Sequence, residues 1–205
     1  MFRPEDGGAA AFAPETVRTE RLTLLPLRAE HADELAAALS DPALHAFIGG
    51  APDDADTLRA RYARWAAGSP DPAETWCNWA VLLRDSDGDD GGDDGDGNGG
   101  RLVGTVQATV TAGGRTGASA EIAWVLGSPW QRRGIAREAA LGLVGWLRQR
   151  PVRTVVAHVH PDHAASAAVA AAAGLTRTDR WHDGEVRWEL DLEPGPGLEP
   201  SEGTG

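Results

Sequence analysis

The feature that most constrains the fold is a strand that enters a helix through a glycine turn. An apolar run over residues 121–126 is followed by Gln-Arg-Arg-Gly-Ile-Ala at 131–136, where an apolar pattern of helical spacing begins at once. A second apolar run over residues 152–160 predicts another strand. This order of strand, helix and strand favours a parallel crossover, with the helix packed on one face of a sheet.

The glycine turn also predicts a site for an anion. The first backbone N–H groups of a helix have no partner inside it and lie at the positive end of the helix dipole. Gly134 lets a ligand approach the backbone closely, because it has no side chain. Arg132, Arg133 and Arg137 add positive charge around the same point. Taken alone, these residues also fit an ordinary strand-to-helix turn, which is the commoner occurrence.

Composition excludes several classes of partner. The chain of 205 residues can form one domain with a substantial core, and its net charge of -12 argues against nucleic acid as the main partner. The single cysteine, Cys77, excludes an internal disulfide framework and favours a reducing, cytoplasmic setting. The first 15 residues lack the apolar region of a secretion signal, and no apolar run approaches the length of a membrane span.

Further elements flank the crossover on both sides. Those before it are a strand at residues 21–27, helices at about 30–40, 41–47 and 54–67, and strands at 76–83 and 101–110. Those after it are a helix that opens at Asp162 or His163 and ends at Gly174, and two strands at 175–181 and 184–190 that turn through Asp183-Gly184. The order predicts an α+β fold with a mixed sheet flanked by helices.

Three segments are predicted to be disordered. Two of them flank a domain over residues 17–191, and the third lies inside it. Residues 85–100 form a hairpin insertion of almost only Asp and Gly, which cannot bury a core. A calcium loop is the alternative for this insertion, but the spacing and distal glutamate of an EF-hand do not fit. Residues 1–16 and the tail at 192–205 are the other two segments.

Several separated segments, in a fixed order, resemble the GNAT superfamily of acetyl-CoA-dependent N-acetyltransferases. They are residues 19–24, 40–42, 121–124, 134–139 and 161–175. The closest likeness is to the Rim-type branch, which acetylates the N-termini of ribosomal proteins, and it covers about residues 17–191. The resemblance implies a mostly antiparallel sheet of about seven strands, splayed at a central parallel pair.

The resemblance also implies a binding site for acetyl-CoA, used as a co-substrate without a metal. The pyrophosphate would lie on the N–H groups of the glycine turn, and the pantetheine arm would pair with the end of the preceding strand. The residues implied to bind the cofactor are Val125, Leu126, Gln131, Arg132, Arg133, Gly134, Ile135, Ala136, Arg137, His163 and Ser166. His163 departs from the family, in which an asparagine commonly holds the pantetheine amides. A histidine cannot reproduce both hydrogen bonds of that amide.

Catalysis of this kind needs a neutral amine, a donor to the oxyanion and a proton for the thiolate. The resemblance implies an oxyanion donor near Val125 or Leu126. Glu121 is the candidate base, acting through water, and the alternative is a strand residue that faces solvent or an arginine. Ser166 is the candidate donor near the thiol, and the alternative is a helix residue that only packs. A tyrosine acid on the final helix is excluded, because Tyr62 is the only tyrosine.

Three histidines, at positions 158, 160 and 163, raise the alternative of a zinc site. No cysteine or carboxylate cluster beyond Asp162 completes such a ligand set. His158 or His160 lining the acceptor side is a further interpretation, and an edge histidine of the sheet is the commoner one.

Two classes of function follow from these patterns. The first is an enzyme, a monomer or homodimer, that moves an acetyl group by direct attack of a primary amine on the thioester. The acceptor is a protein N-terminus or a small molecule such as an aminoglycoside-like antibiotic. The second is a non-catalytic sensor that binds CoA or acyl-CoA, which His163 and the missing tyrosine keep open.

Overall fold

The computed structural model describes residues 12–85, 99–113 and 117–192. Its centre is one sheet of eight strands. The strands are β1 Val17–Arg18, β2 Leu22–Pro26, β3 Glu74–Arg84, β4 Gly100–Thr111, β5 Ala118–Leu126, β6 Val152–Val159, β7 Thr176–His182 and β8 Glu185–Asp191. They lie in the order β1-β2-β3-β4-β5-β6-β8-β7, and each neighbouring pair is antiparallel except β5 and β6. The predicted mixed, mostly antiparallel sheet is therefore confirmed.

The helices begin and end where local chemistry predicts. The α-helices of the described residues are α1 Ala32–Ala38, α2 His45–Ile48, α3 Ala55–Ala66, α4 Ile135–Leu147 and α5 Ala164–Ala172. Short 3-10 helices lie at Ala29–His31, Pro42–Leu44 and Ser128–Trp130. Asp54 caps α3, its carboxylate accepting a hydrogen bond from the N–H of Thr57 at 2.8 Å. Gly174 follows α5 with a φ of +95°, which an L-residue rarely adopts.

Two hydrophobic cores lie on opposite faces of the sheet. The larger packs under α4 and α5, and in it the buried indole of Trp79 meets that of Trp146 at a centroid distance of 4.8 Å. The smaller packs under α1 and α3 around Leu35 and Tyr62, and its strand residues come from β2, β3 and β4. Burial of side chains of this size stabilises the fold by about 2 to 3 kcal/mol each. Helix α4 is thereby fixed to the sheet, and so is its first turn.

The central parallel pair separates part of the way along its length. Strands β5 and β6 pair only from Ala118 to Glu121, and the last partner of Glu121 is Val156. Beyond this point β5 continues beside β4 as far as Leu126, and β6 continues beside β8 as far as Val159. We call this divergence the fork. The predicted splay at the central parallel pair is confirmed, although it begins at Glu121 rather than at the end of β5.

The described residues extend beyond both predicted ends of the domain. Phe12 is buried, and Glu15 lies where its carbonyl accepts a hydrogen bond from the indole of Trp79 at 2.8 Å. At the other end Leu192 is buried, and its N–H donates to the carbonyl of Arg153 at 2.7 Å. The segments 1–11, 86–98 and 193–205, which hold most of the residues predicted to be disordered, lie outside the described residues.

Among the strands of the described residues, the short strand β1 is the one that the sequence did not predict. Its two residues pair with Leu24 and Thr23 of β2. Two residues are too few to show an alternating pattern, so the sequence contains no signal for it.

Candidate active site

The glycine turn at the start of α4 presents a row of unused backbone donors. Gly134 has a φ of +78° and Arg132 a φ of +59°, so the chain passes twice through the left-handed region within three residues. Within the described residues, no acceptor bonds to the backbone N–H groups of residues 132–137, and the N–H of Glu138 makes the first helical bond, to Gly134. These N–H groups lie at the positive end of a helix dipole, which is where proteins commonly bind phosphate.

The side chains of the turn separate into those that anchor it and those that stay exposed. Ile135 is buried in the larger core, and Ala136 packs against that core. Gln131 donates from its amide to the carbonyl of Leu126 at 3.1 Å, which ties the turn to the end of β5. The exposed side chains are those of Arg132, Arg133 and Arg137. Gln131 is one of the residues predicted to bind the cofactor, and its side-chain amide is therefore already bonded within the protein.

Arg21 is a further cation at the turn that the sequence analysis did not single out. Its Nη1 donates to the carbonyl of Arg133 at 3.1 Å, and its Nε lies 2.8 Å from a carboxylate oxygen of Glu138. A Cβ placed on Gly134 would lie 3.3 Å from Nη2 of Arg21. Arg21 and Glu138 belong to two of the family-like segments, 19–24 and 134–139, but the sequence did not show that these two segments are in contact.

Glu138 links the first turn of α4 to the start of the domain. Its carboxylate accepts hydrogen bonds from the hydroxyl of Thr19 at 2.5 Å and from the N–H of Arg21 at 2.6 Å. Burial acts to raise the pKa of Glu138, but the hydrogen bonds from Thr19 and Arg21 outweigh it and lower the pKa. The carboxylate thus stays charged and holds the turn in place.

Past the fork, the edge of β5 that faced β6 is free. From Ile122 to Leu126 this strand pairs with β4 on one side, and the described residues supply no strand partner on the other. Val125 and Leu126, the predicted cofactor-binding residues, lie on this segment. An extended ligand can add to such an edge through backbone hydrogen bonds.

On the opposite side of the fork, His163 and Ser166 lie at the start of α5. His163 is the N-cap, and its Nδ1 accepts a hydrogen bond from the N–H of Ser166 at 3.0 Å. The imidazole is thus engaged through one nitrogen, which leaves Nε2 as its remaining polar atom. The hydroxyl of Ser166 is part-buried, and no residue in the described part of the chain bonds to it.

A segment over residues 41–47, which we call the bridge segment, connects the two sides of the fork. At one end, Asp41 accepts a hydrogen bond from the hydroxyl of Ser128 at 2.5 Å, in the loop between β5 and α4. This bond lowers the pKa of Asp41, as does the N–H of Ala43. At the other end, the ring of Phe47 meets that of His163 at a centroid distance of 4.2 Å. The bridge segment therefore contacts both the loop that precedes the glycine turn and the start of α5.

Glu121, the predicted base, lies at the fork beside a histidine. Its Oε1 is 2.9 Å from Nδ1 of His158, which is two residues past the last paired residue of β6. The side chain of Glu121 is 56% exposed, whereas that of His158 is 8% exposed. Within the described residues, Nε2 of His158 is buried without a hydrogen-bond partner.

This pair forms one wall of a cavity of about 460 Å³. The cavity is lined by Glu121, His158, Arg180, Trp181, His182 and Arg187. The last four come from the closing hairpin, in which β7 and β8 turn through Asp183 and Gly184 with positive φ at both positions. The carboxylate of Glu121 thus contacts a histidine and is also open to solvent, so its role as the base stays a prediction.

The remaining reactive side chains lie away from the fork. Burial raises the pKa of Tyr62 to about 12 and that of Cys77 to about 12. Both are fully enclosed in the two cores. For the zinc alternative, residues 12–85, 99–113 and 117–192 contain no group of three or more side chains placed to hold a metal ion.

Known proteins match the chain at the level of the family and the fold. Residues 21–176 match the model of the acetyltransferase (GNAT) domain. No sequence among the curated proteins matches significantly. None of the helices in the described ranges has the length and apolar character needed to cross a membrane.

Solved structures with the same fold include an acetyltransferase of the GNAT family from Bacillus anthracis. It is 17% identical, with a TM-score of 0.65, over 86% of this chain and 98% of that one. RimL, a ribosomal L7/L12 α-N-protein acetyltransferase solved with coenzyme A, is 14% identical, with a TM-score of 0.65, over 87% and 98%. MccE, the microcin C7 self-immunity acetyltransferase solved with acetyl-CoA and AMP, is 14% identical, with a TM-score of 0.63, over 85% and 94%.

The family match spans both sides of the fork, from Arg21, just before β2, to Thr176, the first residue of β7. With the glycine turn, the splayed parallel pair and this match in agreement, the chain belongs to the GNAT acetyltransferase family and is an N-acetyltransferase.

Proposed function

We propose that the protein transfers the acetyl group of acetyl-CoA to a primary amine, which attacks the thioester directly. One observation carries the proposal: the unused N–H groups of the glycine turn and the free edge of β5 lead to a fork whose closed end is at Glu121, the last residue of β5 that pairs with β6. A cofactor with a diphosphate, an extended arm and a reactive end matches those three parts in order.

On the donor side, the pyrophosphate would accept hydrogen bonds from the N–H groups of residues 132–136. Arg21, Arg132 and Arg133 would add positive charge at the same place. The pantetheine arm would lie along the free edge of β5, in the manner of an added strand. The thioester would then reach the fork.

The chemistry at the fork has three parts, each with a candidate group. Glu121 is the candidate base for the ammonium of the acceptor, through water. A backbone N–H near Val125 or Leu126 would donate to the oxyanion of the tetrahedral intermediate. The unbonded hydroxyl of Ser166 is the candidate proton donor to the departing thiolate.

The acceptor would enter through the cavity that Glu121 shares with the closing hairpin. Trp181 is 57% exposed and offers an aromatic surface at its rim. Both a protein N-terminus and a small amine fit an open cavity of this kind, and structural relatives include RimL and MccE. A cytoplasmic location and a monomeric or homodimeric state stay predictions.

One experiment separates the enzyme from the CoA-binding sensor. The purified chain is mixed with acetyl-CoA and a panel of small amines and N-terminal peptides, and the release of CoA thiol is followed, with CoA affinity measured by calorimetry. Acceptor-dependent thiol release supports the proposal and identifies the acceptor class. Binding of CoA without release for any acceptor would contradict the proposed transfer and would favour the sensor. Failure to bind CoA would contradict both.

A further inference from the structure

The pair formed by Glu121 and His158 carries an inference that rests on the proposed function and deepens it. We infer that His158, oriented by Glu121, is the general base that takes the proton from the ammonium of the acceptor. Glu121 is then a positioning residue that acts through the imidazole, and this role replaces the direct role of base given to it above. The inference rests on the contacts of His158 and on where this residue lies relative to the fork.

The contact with Glu121 fixes which nitrogen of His158 carries hydrogen. A carboxylate only accepts hydrogen bonds, and its Oε1 lies 2.9 Å from Nδ1. Nδ1 must therefore be the protonated nitrogen. In the neutral imidazole the lone pair is then on Nε2, which makes this atom the proton acceptor of the ring.

Nε2 of His158 lacks a hydrogen-bond donor among the described residues. The atom is also buried. An unpartnered buried polar atom is costly, and native proteins seldom leave one without a reason. The same side chain lines the cavity that leads to the fork. An ammonium that enters from that cavity, or a water bound to it, would supply the missing donor once a small movement of the closing hairpin exposes Nε2.

The charges around His158 come from every neighbouring strand. Arg187 is its register partner on β8, and the ring of His182 on β7 lies at a centroid distance of 5.0 Å. Glu189 forms ion pairs with both Arg180 and Arg187, which leaves Glu121 to face the imidazole. The charged or titratable groups to consider are Glu121 on β5, Arg180 and His182 on β7, and Arg187 and Glu189 on β8.

The proton transfers balance as follows. One proton leaves the ammonium for Nε2 of His158, and the resulting imidazolium keeps its Nδ1–H on Glu121. The freed lone pair forms the new N–C bond at the thioester carbonyl. When the C–S bond breaks, the nitrogen loses a second proton and the thiolate gains one. The imidazolium returns its proton to solvent through the cavity, so the net products are the amide, the CoA thiol and one proton.

The test compares His158→Gln and Glu121→Gln with the unaltered chain, using an acceptor identified in the panel above. We expect His158→Gln to lower kcat at least about 100-fold, the usual range for a general base, with a much smaller change in the KM of the acceptor. Glu121→Gln should lower kcat less, about tenfold, because the imidazole is kept and only its carboxylate partner is lost. CoA affinity should stay within about twofold in both variants, since neither group belongs to the donor site.

The reverse order would overturn the inference: a large loss of activity in Glu121→Gln, with a small effect in His158→Gln, would make Glu121 the base. His31→Gln is the matched control, because this imidazole lies in the 3-10 helix before α1, bonded to the N–H of Arg28 at 3.1 Å. A second readout needs no turnover. Nitrogen NMR of the resting protein should show the Nδ1–H tautomer for His158, and the Nε2–H tautomer would contradict the inference. An unaltered chain that releases no thiol with any acceptor fails the proposed function instead.

Discussion

The two sides of the fork are built from different parts of the chain. The donor side consists mainly of backbone, with the unused N–H groups of residues 132–137 and the free edge of β5. The acceptor side consists of side chains, such as those of Glu121, His158 and Trp181, brought together from three strands. A backbone site depends on a local turn, so that one glycine marks it in the sequence. A side-chain site depends on the register of strands that are distant in the sequence, and no local sequence pattern predicts it.

The largest expected effect tests the backbone character of the donor side. Gly134→Trp should reduce CoA affinity at least about 100-fold, because a bulky side chain would cover the N–H groups and a positive φ costs an L-residue about 1 kcal/mol or more. Calorimetry with CoA measures the effect. Gly68→Trp is the control, since Gly68 also has a positive φ, at +92°, with open space around it, and follows α3 far from the turn. Normal CoA binding by Gly134→Trp would refute the placement of the pyrophosphate.

The next effect concerns the ionic support of the turn. Glu138→Gln should lower the free energy of unfolding by about 2 kcal/mol at pH 7, because hydrogen bonds to a charged group are lost or weakened. The pKa of Glu138 in the folded protein lies below the ordinary value of 4.5, so its stabilisation is present above that value and is lost as the pH falls through the folded pKa. Denaturant titrations should therefore show the difference between the two chains at pH 7 and a smaller one as the pH falls below 4.5.

If the difference in the free energy of unfolding between Glu138→Gln and the unaltered chain stayed constant as the pH fell, the charge of the carboxylate would not be what stabilises the turn. Glu30→Gln is the matched control, since this exposed residue forms a salt bridge with Arg28 in which both side chains are 67% exposed. Exposed pairs of this type contribute at most about 1 kcal/mol.

A smaller effect is expected from changes at His163, which test whether side chains on the donor side contribute to stability and CoA affinity in addition to the backbone. His163→Ala should lower the free energy of unfolding by about 1 kcal/mol, the usual cost of a lost N-cap. His163→Asn should retain that stability, because an asparagine side chain also accepts the N–H of Ser166. Thermal unfolding and CoA titration are measured together. A stable His163→Asn that binds CoA several-fold more tightly would identify the histidine as a weakened pantetheine contact, whereas equal affinity would confine its role to the cap.

The smallest effect is expected from the Asp/Gly insertion. Arg84 pairs with Gly100, and the N–H of Asp85 donates to the carbonyl of Gly99 at 3.4 Å. Deletion of residues 86–98 would join Asp85 directly to Gly99, and Asp-Gly is a preferred two-residue hairpin turn. The melting temperature and the CoA affinity should change little, because the cost of closing a loop varies slowly with its length. A marked loss of either would assign these residues to the site.

The contrast between the two sides also explains what the sequence could predict. The element order, the glycine turn and the hairpin at Asp183 follow from local periodicity and turn chemistry, and the predicted fold is confirmed. The contact between Glu121 and His158 requires the register of β5 against β6. The contact between Arg21 and Glu138 joins residues 117 positions apart. Such pairings depend on tertiary packing, which the residues near each partner do not encode.

Cys77 gives the molecule a built-in reporter. Its thiol is enclosed in the larger core and donates to the carbonyl of Phe12 at 3.1 Å. With a pKa of about 12, only about one thiol in 10,000 is ionised at pH 8. A thiol reagent added to the folded protein would therefore register the CoA released in turnover and almost nothing else. When the core opens, the same reagent would label the chain at one position, so that the labelling rate would measure how often the native state unfolds.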